Sequence, residues 1–118
     1  MISAYSSGAK VKVADIKYLA SSKVFLISIE RTKIETNQEY KKINSVCRFD
    51  FVDKVRSKNI DQSNQEMILE LIGIDYLKNN NDYEINLIFK NNAYIALTTE
   101  TIEVRLEDQS EIKKLWKY

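Results

Sequence analysis

Residues 83–99, YEINLIFKNNAYIALTT, decide the fold. Tyr83, Ile85, Leu87 and Phe89 alternate with Glu84 and Asn86, the period of a strand with one buried face. Asn91 and Asn92 then interrupt the run, and asparagine tolerates left-handed backbone. The length of that loop decides which residues meet. A two-residue turn at Asn91-Asn92 would put Leu87 opposite Ala96 and leave Ile95 and Leu97 on the polar face. A three-residue loop over Lys90, Asn91 and Asn92, with Asn92 left-handed, pairs Leu87 with Ile95 and Ile85 with Leu97. Only the second keeps the apolar side chains together, because a one-residue slip turns a whole strand inside out. The stretch reads as an antiparallel β-hairpin.

The same logic extends outward in both directions. Met67 to Leu77 is apolar on both parities, with Gly73 beside the switch, so a strand with a kink or bulge is expected there. Lys78 to Asp82 is the turn joining it to Tyr83. Ala9 to Leu19 changes phase at Ala14-Asp15, which suggests a bulge. A turn at Ser21-Ser22 pairs Ile16 with Ile27 and Tyr18 with Phe25. Thr32 to Asn44 is polar and reads as a surface loop, with Ile34, Tyr40 and Ile43 as anchors. Ser45 to Lys58 reads as one long, bending strand with Cys47, Phe49, Phe51 and Val55 inward. Asn59 to Glu66 is a polar loop in which Ile60 tucks inward. Ile102, Val104 and Leu106 alternate with Glu103, Arg105 and Glu107 in a final strand. Asp108 to Glu111 has the spacing of a capping box, and Ile112, Leu115 and Trp116 then share one side of a short C-terminal helix.

The pattern gives one domain over residues 1–118, mainly β, with about seven antiparallel strands in a sandwich or partly open barrel closed by the C-terminal helix. Seven strands and one helix also fit a pleckstrin-homology-like topology. Phe25, Ile27, Phe49, Phe51, Leu69, Leu71, Ile85, Leu87, Ile95 and Leu97 hold the inward parity and form the expected core.

Composition narrows the chemistry. The 118 residues contain no histidine, one cysteine, two glycines and no proline. Nucleophile–base pairs, zinc sites and phosphate-cradling loops draw on those residue types at set spacings. A net charge of +1 recruits neither nucleic acid nor an anionic membrane as a whole. Apolar runs are too short to span a bilayer, and the start lacks the pattern of a secretory signal. With a single cysteine, a reducing cytoplasm is the expected location.

Val11 to Ile16 (VKVADI), Arg48-Phe49-Asp50, and Val55 to Ser63 (VRSKNIDQS) resemble a bacterial family, found mainly in alphaproteobacteria, known as domain of unknown function 2948. The ending Thr101 to Asp108 (TIEVRLED) is similar to that family's C-terminal strand. The resemblance covers roughly Ile2 to Asp108. Members typically carry extra residues before the part matching Ile2, and this chain has a longer tail after Asp108. The family often has glycine where this chain has Asn59 and around Asn91-Asn92, which implies backbone turns there. It also implies a small cytoplasmic bacterial protein without an assigned activity, and lends no catalytic residue.

Among individual residues, Arg48, Lys54, Arg56 and Lys58 share one parity and form a basic stripe if the strand stays regular. Such a stripe suits an anionic ligand, a phosphate backbone or an acidic partner segment. The plainer reading is the solvated face of a half-buried strand. Cys47, in phase with Phe49, reads as an inert buried thiol. Ser57 and Lys58 point to opposite faces, as do Asp50 and Asp53, so neither a Ser–Lys dyad nor a metal site with Asp61 follows. Asn79 to Asp82 lacks the ligand alternation and closing glutamate of a calcium loop. Tyr18, Tyr76 and Tyr94 read as core or rim aromatics, and Trp116 as the anchor of the C-terminal helix. No cofactor and no metal are expected. The leading reading is a non-enzymatic binding or adaptor domain using sheet edges or the stripe to meet a protein or anionic ligand. The alternative is a small enzyme or enzyme subunit using carboxylate, tyrosine or lysine chemistry in a barrel-mouth pocket. A pocket holding a buried carboxylate or lysine separates the two.

Overall fold

A computed structural model of the chain describes residues 9–34 and 40–108. It contains nine strands: β1 (Ala9–Lys12), β2 (Ile16–Leu19), β3 (Val24–Ile34), β4 (Tyr40–Phe49), β5 (Val52–Lys58), β6 (Ile68–Lys78), β7 (Tyr83–Phe89), β8 (Ala93–Thr99) and β9 (Val104–Asp108). All pairings are antiparallel, in the order β5-β8-β7-β6-β1-β3-β4-β9, with β2 also paired to β3. The result is one open sheet ending in β5 and β9, not closed into a barrel.

The mainly antiparallel β expectation holds, and the count rises because two expected strands each break in two. Ala9 to Leu19 is interrupted by a 3-10 turn at Val13–Asp15 rather than a bulge. The amides of Val13 and Ala14 turn away to the carbonyls of Met67 and Gln65, at 2.9 and 3.1 Å. Ser45 to Lys58 breaks at Asp50-Phe51, where Phe51 adopts φ 60. Here the backbone is captured from three directions. The amide of Asp50 donates to the Glu103 carbonyl, Val52 to Lys23, and the Phe51 carbonyl accepts from Glu100, at 3.1, 2.8 and 3.1 Å. That corner shifts the parity, so Phe51 is 42% exposed and Val52 takes the inward place. Phe51 is the one member of the expected core that lies outside it.

Thr32 to Asn44 also differs from the loop reading. β3 and β4 run on as a long hairpin, paired from Phe25↔Phe49 out to Ile34↔Tyr40. No second sheet exists among the described residues for a pleckstrin-homology-like sandwich to use, and that topology finds no support. The C-terminal helix, with Trp116, lies outside the described residues.

Turn chemistry sets the remaining registers. Leu87 faces Ile95 and Ile85 faces Leu97, as the three-residue loop requires, with Asn91 at φ 66 and Asn92 at φ 59. Ile16 faces Ile27 and Tyr18 faces Phe25 across the β2–β3 hairpin. A register shift between Leu71 and Gly73 marks the bulge in β6. Asn59 is left-handed too, at φ 60, and its side-chain amide donates to the Asn92 carbonyl at 2.9 Å, which clips the end of β5 to the β7–β8 loop.

The sheet coils so that its inward residues share one core. Phe25, Ile27, Cys47 and Phe49 of β3 and β4 join Leu69 and Leu71 of β6 and Ile85, Leu87, Ile95 and Leu97 of β7 and β8. The rings of Phe25 and Phe49 meet edge to face, 6.0 Å apart. Where β2 and β5 approach without pairing, the Tyr18 hydroxyl donates to the Val52 carbonyl at 2.7 Å. No helix among the described residues is long and apolar enough to cross a membrane.

Candidate functional site: the outer face of β5, β8, β7 and β6

Three rows of directly opposed residues cross the outer face. Lys54 faces Thr98, which faces Glu84; Arg56 faces Ala96, then Asn86, then Asp75; Lys58 faces Tyr94, then Ile88. Ala96 is the key to the shape. It has the outward parity of β8, yet it is 2% exposed, because the larger side chains of the rows on either side rise above it. The small residue thus floors an open groove of about 870 Å³, lined by Arg56 and Lys58 on one side and by Ile72, Asp75, Glu84, Asn86 and Ile88 on the other. Tyr94 and Lys90 close one end.

The electrostatics are graded across the groove. The Arg56 guanidinium donates to the Glu84 carboxylate, while Lys54 and Lys58 make no ion pair among the described residues. Lys90 is held by Glu70, whose other oxygen takes Lys10, at 2.9 and 3.1 Å. Lys90 and then Lys10 hold the Glu70 carboxyl below its ordinary pKa. Lys58 heads an apolar row of Tyr94, Ile88 and the adjacent Ile72 that crosses the strands, while Glu84 and Asp75 stand in the rows of Lys54 and Arg56.

The structure divides the four-residue basic stripe. Lys54, Arg56 and Lys58 stand together on β5, spaced two apart. Arg48 stands on β4, opposite Leu26 and Arg105, and its Nε donates to Asp50 Oδ1 at 3.1 Å. The parity argument failed at Phe51, and nothing about a phenylalanine in sequence signals a left-handed corner. The groove itself was also not legible, since its floor depends on which strands flank Ala96.

A second cavity, of about 270 Å³, opens where β2 and β5 fail to pair. Val13, Ile16, Phe25, Val55, Ile60 and Ile95 make its apolar wall, with Tyr18, Ser57, Gln62 and Gln65 at the polar side. Neither a carboxylate nor a lysine lines it. Gln62 donates to Ser57 Oγ at 3.2 Å, and Tyr18 is spent on Val52. The other displaced titrations belong to exposed partners. Asp53 and then Glu100 hold the Lys23 ammonium above its usual pKa, and Ser63 holds Asp61 below its own. No group of three histidine, cysteine, aspartate or glutamate side chains converges among the described residues. Cys47 is buried. Tyr94 is a rim aromatic, but Tyr76 is 57% exposed and belongs to neither core nor rim.

In comparisons with known proteins, the family model described as protein of unknown function (DUF2948) matches residues 1–116. The match reaches past Asp108, where the sequence resemblance ended. No curated protein and no solved structure matches the chain.

Proposed function

We propose, for a chain that belongs to the DUF2948 family and inherits no assigned activity from it, that the domain is a non-enzymatic binding module whose contact surface is the groove over β5, β8, β7 and β6. The occupant is an extended acidic segment of a partner protein. The observation that carries this reading is the juxtaposition of Lys54 and Lys58, which make no ion pair among the described residues, with the open groove that Ala96 floors and Lys58 lines. Lys54 to Lys58 spans about 13 Å at the rise of a strand, the length of four residues of an extended peptide. Carboxylates of the segment would face that edge, while an apolar side chain at its Lys58 end would rest on the row of Tyr94, Ile88 and Ile72. A nucleic-acid strand suits the surface less well, because it carries a phosphate at every step past Asp75 and Glu84, whereas a peptide can keep its carboxylates to the side of Lys54 and Lys58. Catalysis draws less support, because the apolar cavity beside β2 and β5 has neither carboxylate nor lysine, and Glu70, which lines another cleft, is ion-paired to Lys90 and Lys10.

A fluorescent peptide of alternating glutamate and leucine, titrated by anisotropy, tests the reading. Binding should weaken with salt and fall at least about tenfold in Lys54→Glu/Lys58→Glu, which leaves the Arg56–Glu84 pair intact. Exposed, unpaired lysines contribute little to folding, so the melting temperature should hold. Equal affinity in the variant, or preference for single-stranded DNA over the peptide, would overturn the proposal.

A further inference from the structure

β9 ends the sheet with β4 as its one neighbour among the described residues. Its register leaves a specific set of backbone groups unused. The Glu103 carbonyl accepts from the Asp50 amide, so alternation turns the polar groups of Glu103, Arg105 and Glu107 toward β4. Those of Ile102, Val104 and Leu106 therefore point to the free edge. The same three side chains remain 37, 46 and 44% exposed, although Val104 and Leu106 stand beside the buried Phe49 and Cys47. An exposed apolar edge strand is a template for pairing, and within β9 the charge on this parity is confined to Asp108 at its end.

The other parity is charged, and Glu103, Arg105 and Glu107 make no ion pair among the described residues. Arg105 lies directly opposite Arg48, a like-charge pair, and Arg48 already has Asp50 as its partner. Arg105 makes no ion pair among the described residues.

We propose that β9 pairs antiparallel with β9 of a second copy of this chain, about a two-fold axis through Val104. That register joins the free backbone groups, the exposed apolar row and the charged parity. Val104 faces its own copy, and Ile102 faces Leu106 of the partner subunit. Each such pair is of the kind that exchanges backbone hydrogen bonds at the free edge. The intervening positions set Glu103 against the partner's Arg105, and Arg105 against the partner's Glu103. The unbalanced arginine thus gains a carboxylate on its open side. Shifting the axis to Arg105 would oppose arginine to arginine and Glu103 to the partner's Glu107, so charge selects the Val104 axis over that alternative. The interface is isologous, as two-fold symmetry demands.

Sedimentation equilibrium on the full chain and a charge-swap cycle test the register. The wild type should dimerise at or below about 100 µM. Glu103→Arg and Arg105→Glu should each weaken the dimer by about tenfold or more, since either change turns both symmetric pairs repulsive. The double variant Glu103→Arg/Arg105→Glu recreates the pairs in reverse and should restore the wild-type constant. Arg105→Glu also relieves the clash with Arg48, so a fall in its melting temperature is not expected, which separates loss of dimer from loss of fold. A monomeric wild type, a dimer indifferent to either single change, or a double variant that stays dissociated would each overturn the proposal.

Discussion

Phe49 and Phe51 have the same parity in the sequence and opposite fates in the fold, so replacing each with alanine tests the corner between β4 and β5. Phe49 is 1% exposed, packed edge to face on Phe25 in the centre of the core. Truncating it removes the burial of a large ring and leaves a cavity among rigid neighbours, a loss of about 3–5 kcal/mol. Phe51 is 42% exposed and sits at φ 60. Its truncation forfeits a partly buried ring, about 1 kcal/mol, and leaves the unfavourable left-handed backbone in place. Phe51→Gly should recover about 1 kcal/mol relative to Phe51→Ala, because glycine adopts that backbone without a clash. Urea unfolding followed by circular dichroism reads the difference. With a slope of roughly 1.5 kcal/mol per molar urea, Phe49→Ala lowers the midpoint by about 2–3 M and Phe51→Ala by less than about 1 M. Equal losses would mean that Phe51 fills the core, and the regular long strand would have to replace the corner.

Two further outcomes follow from the ion pairs. Arg48→Ala should cost about 1–2 kcal/mol, because it strips the partner from a carboxylate 13% exposed whose Oδ2 is buried with no partner among the described residues, whereas Lys54→Ala should stay within about 0.5 kcal/mol. Equal, negligible effects in denaturant melts would show that the Arg48–Asp50 bond is ornamental. Glu70, held below its ordinary value of 4.5 by Lys90 and Lys10, contributes stability that is present above that value and lost as pH falls through the lowered one. Thermal melts of Glu70→Gln should therefore lie below wild type at neutral pH and converge with it in acid; a constant gap across the range would remove the linkage.

Local chemistry made much of the fold legible. Parity shows which residues of a strand can share a face, and turn residues show how two adjacent strands slide. Leu87 opposite Ile95 and Tyr18 opposite Phe25 follow from those two rules alone, because hairpin partners are close in sequence and the same few residues control both. Gly73 marked its bulge and Asn92 its left-handed backbone for the same local reason, whereas the left-handed Asn91 was not expected and the turn at Asn59 was implied by the family resemblance. Within the candidate site, the common parity of Lys54, Arg56 and Lys58 was legible for that reason as well.

What the tertiary structure alone decided is where a strand stops being one strand, and what its face meets. The break at Phe51 is imposed by Lys23, Glu100 and Glu103, which take the backbone polar groups of residues 50–52 in three directions. No local signal accompanies it, so Arg48 parts from Lys54, Arg56 and Lys58 without warning. Ala96 becomes a groove floor only because β5 and β7 set Arg56 and Asn86 beside it. Ile102, Val104 and Leu106 alternate as cleanly as Ile85 and Leu87 do, yet they stay exposed. Alternation records which way side chains point. Whether another strand lies alongside depends on the order of strands in the sheet, which distant pairings determine.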